Sequence, residues 1–501
     1  MIKSLSILGT SVAMLTSFTA VAALTNQDHN VHTEPDASKP GYLSSFHDGT
    51  YNSPIVRISG EPNTNIVTAS GAVIGTWGNL VRPVYSLTQA FSTDESTVVL
   101  YNSGTYASGT WVLVSTTSPY KPTRILCPNA GLWDWRWSGL QTNSGHEIIV
   151  NVDQTGTHVQ RIDSTTCTML SNYRLQDSLG NKVTSSPNGN GTFGNGKGNL
   201  ADNGTTMAVT FIDANLHTWV QVFEDDGRFV GPALDITNCG LSNCSVHDVT
   251  ISHDKQYVII GYINDHQQVL DFNTGTYVLT PHNYTWQSFT RNGSALSCGE
   301  GSSASNGFLV ASVGHKDWMC AGDPCSSSVP ASQEMVAGIA ECPVQFDKYS
   351  DGSFVSNLIG VHLNDGNVFN LGSELTNAGD AVPQLISATN INDAQNVTVS
   401  YFCQDTSTAL GCGGSNSYSH GYPYSGEILT MPTDGSSSGS EWARLAHHHS
   451  SMNCGYETNV FASQSWAGSY IVFSSDWKQH DGSTTSCPAT NVISAYLLTT
   501  P

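Results

Sequence analysis

The stretch ISHDKQYVIIGYINDHQQVLDFNTGTYVL, residues 251–279, contains two apolar runs that end in polar turns. The turn SHDKQ precedes the run YVIIGYI, and the later run QVLDF leads into the turn NTGT. Short runs rich in Val, Ile, Tyr and Phe, bounded by Gly, Asn, Asp and Ser, are typical of antiparallel strands. The stretch therefore predicts strands joined by tight turns.

The same two-part unit recurs along the chain. The turn with its strand returns in FSTDESTVVLYN, LADNGTTMAVTFID and SQSWAGSYIVFSSDW, and the strand with its hairpin returns in LIGVHLNDGNVFNL and GEILTMPTDGS. The units lie about 45–60 residues apart, which is the spacing expected of four-stranded propeller blades. We predict that residues 43–501 form one all-β domain, a single β-propeller with roughly seven blades of four-stranded antiparallel sheet.

One other architecture and one local helix are alternatives to this interpretation. A long β-helix would also be all-β, but its rungs would repeat at about half the observed period or less. The segment SQEMVAGIAECP is the best helix candidate in a chain that otherwise shows almost no helical periodicity.

The N-terminus predicts export. Residues 1–23 combine a lysine, an apolar stretch and small residues at Val21, Ala22 and Ala23, the order of a secretory signal peptide. A signal anchor is the alternative, although Ser, Thr and Gly interrupt the apolar run. Residues 24–42 are polar and predict a linker. No later segment approaches the roughly 20 apolar residues of a membrane span, so we expect a secreted, extracellular or periplasmic monomer.

The 12 cysteines fit an oxidising compartment. Close pairs such as Cys239/Cys244, Cys320/Cys325 and Cys403/Cys412 are candidates for local disulfides. Zinc ligation is the alternative, but the chain has no CxxC motif. Disulfides are therefore the preferred interpretation.

Charge and missing motifs exclude several classes of function. With 18 Lys and Arg against 40 Asp and Glu, the formal net charge is −22, which repels nucleic acid and anionic membranes. The chain has no P-loop, no Rossmann fingerprint and no GxSxG elbow. We therefore expect neither nucleic-acid nor membrane partners, and no organic cofactor.

Polar residues just before inner propeller strands are the candidates for a functional site, because these positions project into the axial funnel. Such positions, or the turns beside them, hold His247, His315, His266, Arg82, Tyr85 and Arg136. A single funnel histidine more often hydrogen-bonds a neighbouring loop than performs chemistry. Several of them around one opening are a stronger indication of a site.

The run LAHHHSSMNCGYETN, residues 445–459, raises a separate hypothesis. In a strand, residues i and i+2 point to the same side, so His447 and His449 could share a divalent metal such as Zn, Ca or Mn. Cys454 is a conceivable third ligand, although a disulfide is the more common state of an exported cysteine. We expect this run to face the funnel.

Four stretches together resemble a group of exported bacterial propeller proteins. They are WGNLVRPVYSLTQAFSTDES, the region from GPALD to YVLTP, VGHKDW, and ARLAHHHSS with VFSSDW. This group is distantly similar to the propeller polysaccharide lyases, namely ulvan lyases and oligogalacturonate lyases. The resemblance implies an acidic polysaccharide as partner and β-elimination as reaction.

β-Elimination needs a base near the C5 proton, a cation on the uronate carboxylate and an acid at the leaving oxygen. On the resemblance we assign His315 as base, Tyr85 as acid, and Arg136 or Arg82 as the neutralising cation. The remaining assignments are substrate contacts at His247, His266, Arg444 and Trp135, and a metal at His447 and His449. A non-catalytic glycan- or protein-binding propeller and a hydrolase with two carboxylates are the alternatives.

Overall fold

The structure is a computed structural model, and its strands run through most of the chain. It describes residues 30–35, 37–51, 53–176, 180, 200–201, 203–224, 229–239, 244–252, 255–262, 267–281, 289–291, 294–296, 308–309, 313–320, 334–340, 357–362, 368–370, 383–387, 389, 396–401, 423–432, 443–451, 456–477 and 491–500. For strands between residues 289 and 370, only the backbone is described.

The described residues up to Pro281 form 20 strands. They are β1 (Ser45–His47), β2 (Pro54–Arg57), β3 (Asn65–Val67), β4 (Val73–Thr76), β5 (Leu80–Arg82), β6 (Thr97–Ser103), β7 (Thr110–Ser115), β8 (Pro122–Ile125), β9 (Leu132–Gln141), β10 (Glu147–Asp153), β11 (His158–Asp163), β12 (Met169–Arg174), β13 (Thr206–Ile212), β14 (Thr218–Glu224), β15 (Phe229–Val230), β16 (Leu234–Asp235), β17 (Val246–Ile251), β18 (Tyr257–Tyr262), β19 (Gln267–Asn273) and β20 (Val278–Pro281).

The other strands of the described residues follow from Phe289 onward. They are β21 (Phe289–Arg291), β22 (Ser294–Leu296), β23 (Phe308–Leu309), β24 (Val313–Cys320), β25 (Glu334–Ala340), β26 (Asn357–His362), β27 (Val368–Asn370), β28 (Pro383–Ser387), β29 (Asn396–Tyr401), β30 (Glu427–Pro432), β31 (Ala443–His447), β32 (Ser463–Gln464), β33 (Tyr470–Ser475) and β34 (Ser494–Thr499). One 3₁₀ turn, Tyr456–Thr458, is the helical element within the described ranges.

Antiparallel pairing of consecutive strands groups them into sheets. Sheet 1 contains β5–β8, sheet 2 contains β9–β12, sheet 3 contains β13–β16, sheet 4 contains β17–β20 with β23, sheet 5 contains β24–β27, and sheet 6 contains β28–β31. The closing sheet has the order β32, β33, β34, β2, β1. The described residues thus hold seven sheets of four or five strands, consistent with the predicted number of blades.

Strands from the two ends of the chain meet in the closing sheet. β2 pairs with β34, with Ile55 opposite Leu498 and Arg57 opposite Tyr496. The N-terminal strand therefore completes a sheet that the C-terminal strands begin. Such a connection closes a propeller ring and leaves no long open edge between first and last blade.

The hydrophobic core lies between successive sheets. Val150 and Val152 of sheet 2 pack with Met207 and Phe211 of sheet 3 in one cluster. Other clusters join the closing sheet to sheets 1 and 2, sheet 3 to sheet 4, and sheet 6 to the closing sheet. Where side chains are described, neighbouring sheets bury apolar side chains against each other, which is the packing of a propeller.

The predicted helix in SQEMVAGIAECP is wrong. Residues Glu334–Ala340 form β25, the second strand of sheet 5, hydrogen-bonded to β24 on one side and β26 on the other. Pairing along both edges satisfies the backbone of this apolar segment. Tertiary context of this kind overrides the helix propensity of Glu, Met and Ala.

Two disulfides are present among the described residues. Cys239–Cys244 was expected from its spacing, and Cys127–Cys167 joins residues 40 positions apart. Cys325, Cys403 and Cys412 lie outside the described residues. In the part of the chain that the structure covers, helices of the length and hydropathy needed to cross a bilayer are absent.

Candidate functional site

Arg82 ends β5 and is fixed by its neighbours. Its Nη1 donates to the carbonyl oxygens of Pro83 and Val84 at 3.1 and 2.5 Å. Its Nε donates to Glu457 Oε2 at 2.8 Å, and the guanidinium lies 4.8 Å from the centroid of the Phe461 ring. The Arg82 side chain is 13% exposed and that of Glu457 is 38% exposed. The cation is therefore anchored, while its carboxylate partner faces solvent.

Two tyrosines lie beside this ion pair. Tyr85 is 3% exposed, whereas Tyr456, in the 3₁₀ turn between β31 and β32, is 55% exposed. The Tyr85 and Tyr456 hydroxyls are hydrogen-bonded to each other. Both rings contact Phe461, with centroids 5.5 and 5.1 Å away. A buried phenol is thus connected to an exposed one.

Asp248 brings a third part of the chain to this position. Burial raises the pKa of Tyr85 well above its ordinary value, and the charges of Tyr456 and Asp248 raise it further, whereas Arg82 opposes them. Tyr85 lies between β5 and β6 of sheet 1, and Asp248 belongs to β17 of sheet 4. The charge of Asp248 therefore acts across two sheets that do not follow each other in the chain, as expected of blades arranged around one axis. We call Arg82, Tyr85, Asp248, Tyr456 and Glu457 the axial cluster.

The axial cluster can bind an anion and donate protons. Burial also raises the pKa of Tyr456, with the charge of Arg82 lowering it and that of Glu457 raising it. Both phenols therefore keep their protons at neutral pH and act as hydrogen-bond donors or acids rather than as bases. A guanidinium beside them is suited to a carboxylate. The set fits a ligand that carries carboxylate and hydroxyl groups.

A buried polar layer joins three sheets near the axial cluster. Gln89 Nε2 donates to the Thr389 carbonyl at 2.8 Å, and Thr389 Oγ1 donates to the Gln464 carbonyl at 2.6 Å. Thr398 Oγ1 donates to Gln464 Oε1 at 2.9 Å, and Ser463 Oγ donates to the Thr88 carbonyl at 2.9 Å. These bonds connect sheet 1, sheet 6 and the closing sheet. They hold in place the inner segments that carry the axial cluster.

Residues 30–40, from the predicted linker, cross the end of β31. We call them the strap. Asp36 in the strap lies outside the described residues. Arg444 Nη1 donates to the Asn30 carbonyl at 2.9 Å, and His447 Nε2 lies 3.3 Å from the His32 carbonyl. Trp477 Nε1 donates to the Ala37 carbonyl at 2.9 Å. The strap is therefore bound to side chains of sheet 6 and the closing sheet.

Beneath the strap lies a buried ionic network. Arg444 binds Glu427 through two nitrogens, Nε to Oε2 at 2.6 Å and Nη2 to Oε1, and their side chains are 0% and 1% exposed. His447 Nδ1 lies 2.8 Å from Asp48 Oδ2, and His449 Nδ1 lies 2.6 Å from Glu34 Oε1. We call these six residues the strap cluster.

His447 carries acceptors at both ring nitrogens, an arrangement that suits the imidazolium. Burial lowers the pKa of His447, but the hydrogen bond to Asp48 and the charges of Glu427, Asp48 and Glu34 outweigh it and raise the pKa. Burial likewise raises the pKa of Asp48, but its hydrogen bonds from His447 and Thr50 hold it below the usual value. Each member thus stabilises the charged form of its partner.

Only the first of the three histidines belongs to a strand, because β31 ends at His447 and His449 has a positive φ of 53°. The His447 and His449 rings lie 6.4 Å apart, and His449 stacks on Trp477 at 4.1 Å. His448 points elsewhere: its Nε2 donates to the Tyr401 carbonyl at 3.0 Å, and its Nδ1 accepts the Ser450 N–H. The histidines therefore lie at the end of the outer strand of sheet 6, whereas Tyr456 and Glu457 of the same run belong to the axial cluster.

The residues around His447 and His449 do not form a metal-ligand set. Their Nδ1 atoms are bonded to carboxylates, and groups of three or more His, Cys, Asp and Glu with metal-site geometry are absent from the described ranges. Cys454, the conceivable third ligand, lies outside those ranges. The metal at His447 and His449 stays a prediction.

Three other predicted residues are buried and have described partners of their own. Arg136 is buried in β9 and donates from Nη1 to Asp134 Oδ1 at 2.6 Å. Trp135 is 1% exposed and packs edge-on against Trp111 and Trp137, so its indole belongs to the core rather than to an open surface. Arg444 is enclosed in the strap cluster rather than free to contact substrate.

Three predicted histidines have no described side chain. His315 lies in β24 and His247 in β17, where the structure gives only their backbone. His266 lies outside the described residues. Their assigned roles stay predictions.

Sequence reasoning missed Asp248, Tyr456 and Glu457. Asp248 directly follows His247, and Tyr456 with Glu457 ends the stretch that contains the three histidines. Both stretches contain polar residues besides histidine, but only the histidines were assigned roles. In both stretches a residue close in sequence to an assigned histidine belongs to the axial cluster.

No family model matches the sequence, and no curated protein matches it. Among solved structures, the oligogalacturonate lyase of Vibrio parahaemolyticus is similar, with a TM-score of 0.50, 9% identity, and coverage of 94% of this chain and 98% of that one. The C-terminal WD40 domain of Sif2 has a TM-score of 0.37, 10% identity and coverage of 94% and 96%. The hydrazine synthase of Kuenenia stuttgartiensis has a TM-score of 0.40, 10% identity and coverage of 83% and 98%. At 9% identity the likeness to the lyase establishes the fold alone: the chain is a β-propeller.

Proposed function

We propose that this protein is an exported polysaccharide lyase that cleaves a uronic acid-containing chain, ulvan-like or pectic, by β-elimination. The observation that carries the proposal is the anchored Arg82 beside the linked phenols of Tyr85 and Tyr456. The likeness to an oligogalacturonate lyase supports the same class of substrate. Two disulfides suit the oxidising compartment of an exported protein.

The proposed reaction assigns one role to each group. Arg82 binds the uronate carboxylate, which makes the C5 proton more acidic. A base removes that proton, the C4–O bond breaks, and a C4=C5 double bond forms in the new non-reducing end. The leaving oxygen takes a proton from Tyr456, which solvent then reprotonates because this side chain is 55% exposed. His315 is the proposed base, on the sequence resemblance.

Glu457 has a further place in this proposal. It occupies Arg82 Nε through one oxygen and faces solvent, so a substrate carboxylate can replace it. Nη2 of Arg82 makes no hydrogen bond with any described residue. A carboxylate bound across Nε and Nη2 would make two parallel hydrogen bonds, the geometry that arginine favours.

A non-catalytic glycan-binding propeller is the second candidate. The raised pKa of both phenols favours it, because neither tyrosine provides a base at neutral pH. In this case Arg82 and the tyrosines serve only as contacts for an acidic sugar. The absence of nucleic-acid and membrane partners and a monomeric state are proposed for both candidates, from the net charge and sequence pattern.

Incubation with ulvan, pectate, alginate and glucuronan tests the choice. A rise in the ultraviolet absorbance of unsaturated uronate that Arg82→Met and His315→Ala both abolish supports the lyase. A flat trace with retained glycan binding supports the second candidate. New reducing ends without that absorbance would indicate hydrolysis and overturn the lyase.

A further inference from the structure

Two cations lie close together where the strap meets the closing sheet. Arg57 of β2 is 1% exposed, and Lys39 of the strap has a buried Nζ. The nearest carboxylate is Glu61, which is hydrogen-bonded to Arg57 Nη1 and lies 3.9 Å from Lys39 Nζ. The Glu61 side chain is 56% exposed. One solvent-facing carboxylate therefore serves two largely buried cations.

Several buried donors at this position lack an acceptor among the described residues. They are Lys39 Nζ, Nε and Nη2 of Arg57, and the hydroxyl of Tyr42. Arg57 uses only Nη1, for Glu61 and for the Pro40 carbonyl. Its Nε and Nη2 form the edge of the guanidinium that grips anions with two parallel hydrogen bonds. A buried donor without a partner is costly, and a charged one more so.

The two cations share Glu61, which Arg57 Nη1 contacts at 2.5 Å and from which Lys39 Nζ lies 3.9 Å away. Burial, and then the charge of Arg57, lower the pKa of Lys39, whereas burial raises the pKa of the Tyr42 hydroxyl to about 12 with the charge of Arg57 opposing. Asp476 acts on Lys39 as well, but its carboxylate already accepts hydrogen bonds from Ser450 and Ser451. These four donors therefore include two cations and have few acceptors near them.

We propose that a small monovalent anion of chloride size binds between Lys39, Arg57 and Tyr42 and ties the strap to the ring-closing strand β2. The anion accepts hydrogen bonds from both edge nitrogens of Arg57, from Lys39 Nζ and from the Tyr42 hydroxyl. It offsets the mutual repulsion of the two cations. The proposal is independent of the proposed function, because none of these residues belongs to the axial cluster.

Urea unfolding of the full mature chain, at constant ionic strength with chloride exchanged for gluconate, tests the proposal. Urea is needed because guanidinium chloride would itself supply the anion. One bound anion predicts that, above its dissociation constant, each tenfold rise in chloride lowers the unfolding constant about tenfold. An unfolding constant that is equal in both anions would overturn the site and leave the donors to water.

A matched pair of variants separates this site from general salt effects. Lys39→Met should abolish the chloride dependence. Lys255→Met should keep it, because Lys255 also lies near one carboxylate, 3.8 Å from Glu224, but belongs to sheet 4. Equal chloride dependence in Lys39→Met and in the unmodified chain contradicts the proposal.

A crystal grown in bromide gives a test that does not depend on any variant. We expect an anomalous peak within hydrogen-bond distance of Lys39 Nζ and the Nε edge of Arg57. Density without an anomalous signal at that position would identify a water and contradict the proposal.

Discussion

Two arginine–glutamate pairs, Arg82–Glu457 and Arg444–Glu427, use the same chemical groups in opposite surroundings. The axial pair joins one nitrogen to one oxygen at 2.8 Å, and its members are 13% and 38% exposed. The pair under the strap joins two nitrogens to two oxygens, and its members are 0% and 1% exposed. The first can exchange its carboxylate with a solute, whereas the second cannot.

This difference separates recognition from architecture. The His447 region is the richer in charged residue types, since it holds an arginine, three carboxylates and histidines. Its groups are saturated by one another and covered by the strap. The axial cluster has fewer charges, but its exposed members retain contact with solvent. Exposure, rather than the inventory of side chains, distinguishes the candidate site.

The largest expected effect comes from breaking the buried pair. Arg444→Met leaves the Glu427 charge buried without its partner, so we expect the free energy of unfolding to fall by about 3–5 kcal/mol. Urea denaturation measures this change. The double variant Arg444→Met with Glu427→Met should cost less than the single one, because no charge is left buried. A single variant within about 1 kcal/mol of the unmodified chain would show that the pair is not desolvated.

The exposed pair should respond in the opposite way. Arg82→Met removes an ion pair whose carboxylate faces solvent, so the free energy of unfolding should change by no more than about 1 kcal/mol. Binding of a uronate oligomer should weaken at least about tenfold, since a charge-assisted bidentate contact is lost. Calorimetric titration with oligogalacturonate measures the affinity. Unchanged affinity for every acidic oligomer tested would remove Arg82 from the site.

A smaller gain is expected from Glu457→Gln. The substrate carboxylate would no longer compete with Glu457 for Arg82, so affinity for a uronate oligomer should rise by about two- to fivefold, the scale of an exposed ion pair. Glu61→Gln is the matched control, because Glu61 is also an exposed partner of an arginine, Arg57. Weaker binding by Glu457→Gln would instead make Glu457 a direct contact of the sugar.

A pH effect is expected at Lys39, in the strap. Burial, and then the charge of Arg57, lower the pKa of Lys39 from 10.5 to about 8, with Glu61 and Asp476 opposing. Between these two values the unfolded chain binds more protons than the folded chain, so stability rises with pH across that window. Lys39→Met should lose this part of the rise in urea titrations. Equal pH slopes for both proteins would contradict it.

Much of the fold was readable from the sequence because alternation and turn chemistry are local. The turn-and-strand units FSTDESTVVLYN and LADNGTTMAVTFID correspond to β6 and β13. The hairpin in QVLDFNTGTYVL corresponds to β19 and β20. The failure at β25 is also physical, because pairing on both edges decides a segment whose local preference is weak.

The candidate site was only partly readable, for a different reason. Arg82 ends β5 and Tyr85 follows it before β6, and the sequence identifies both as polar residues close to a strand of the first sheet. Tyr456 and Glu457 reach them from a turn more than 300 residues away in sequence, as the 375-residue separation of Arg82 and Glu457 shows. No local pattern encodes such a contact. Likewise, composition made residues 24–42 a linker, whereas the carbonyls of Asn30 and His32 accept from buried side chains.

The most direct measurement compares the two regions in one titration. Binding of oligogalacturonate is measured for Arg82→Met and for Glu34→Gln, which removes the charge beside His449 under the strap, at a temperature where both are folded. The axial cluster as binding site predicts at least about tenfold weaker binding for Arg82→Met and unchanged binding for Glu34→Gln. Weakened binding for Glu34→Gln with unchanged binding for Arg82→Met would place recognition at the strap cluster and contradict the account.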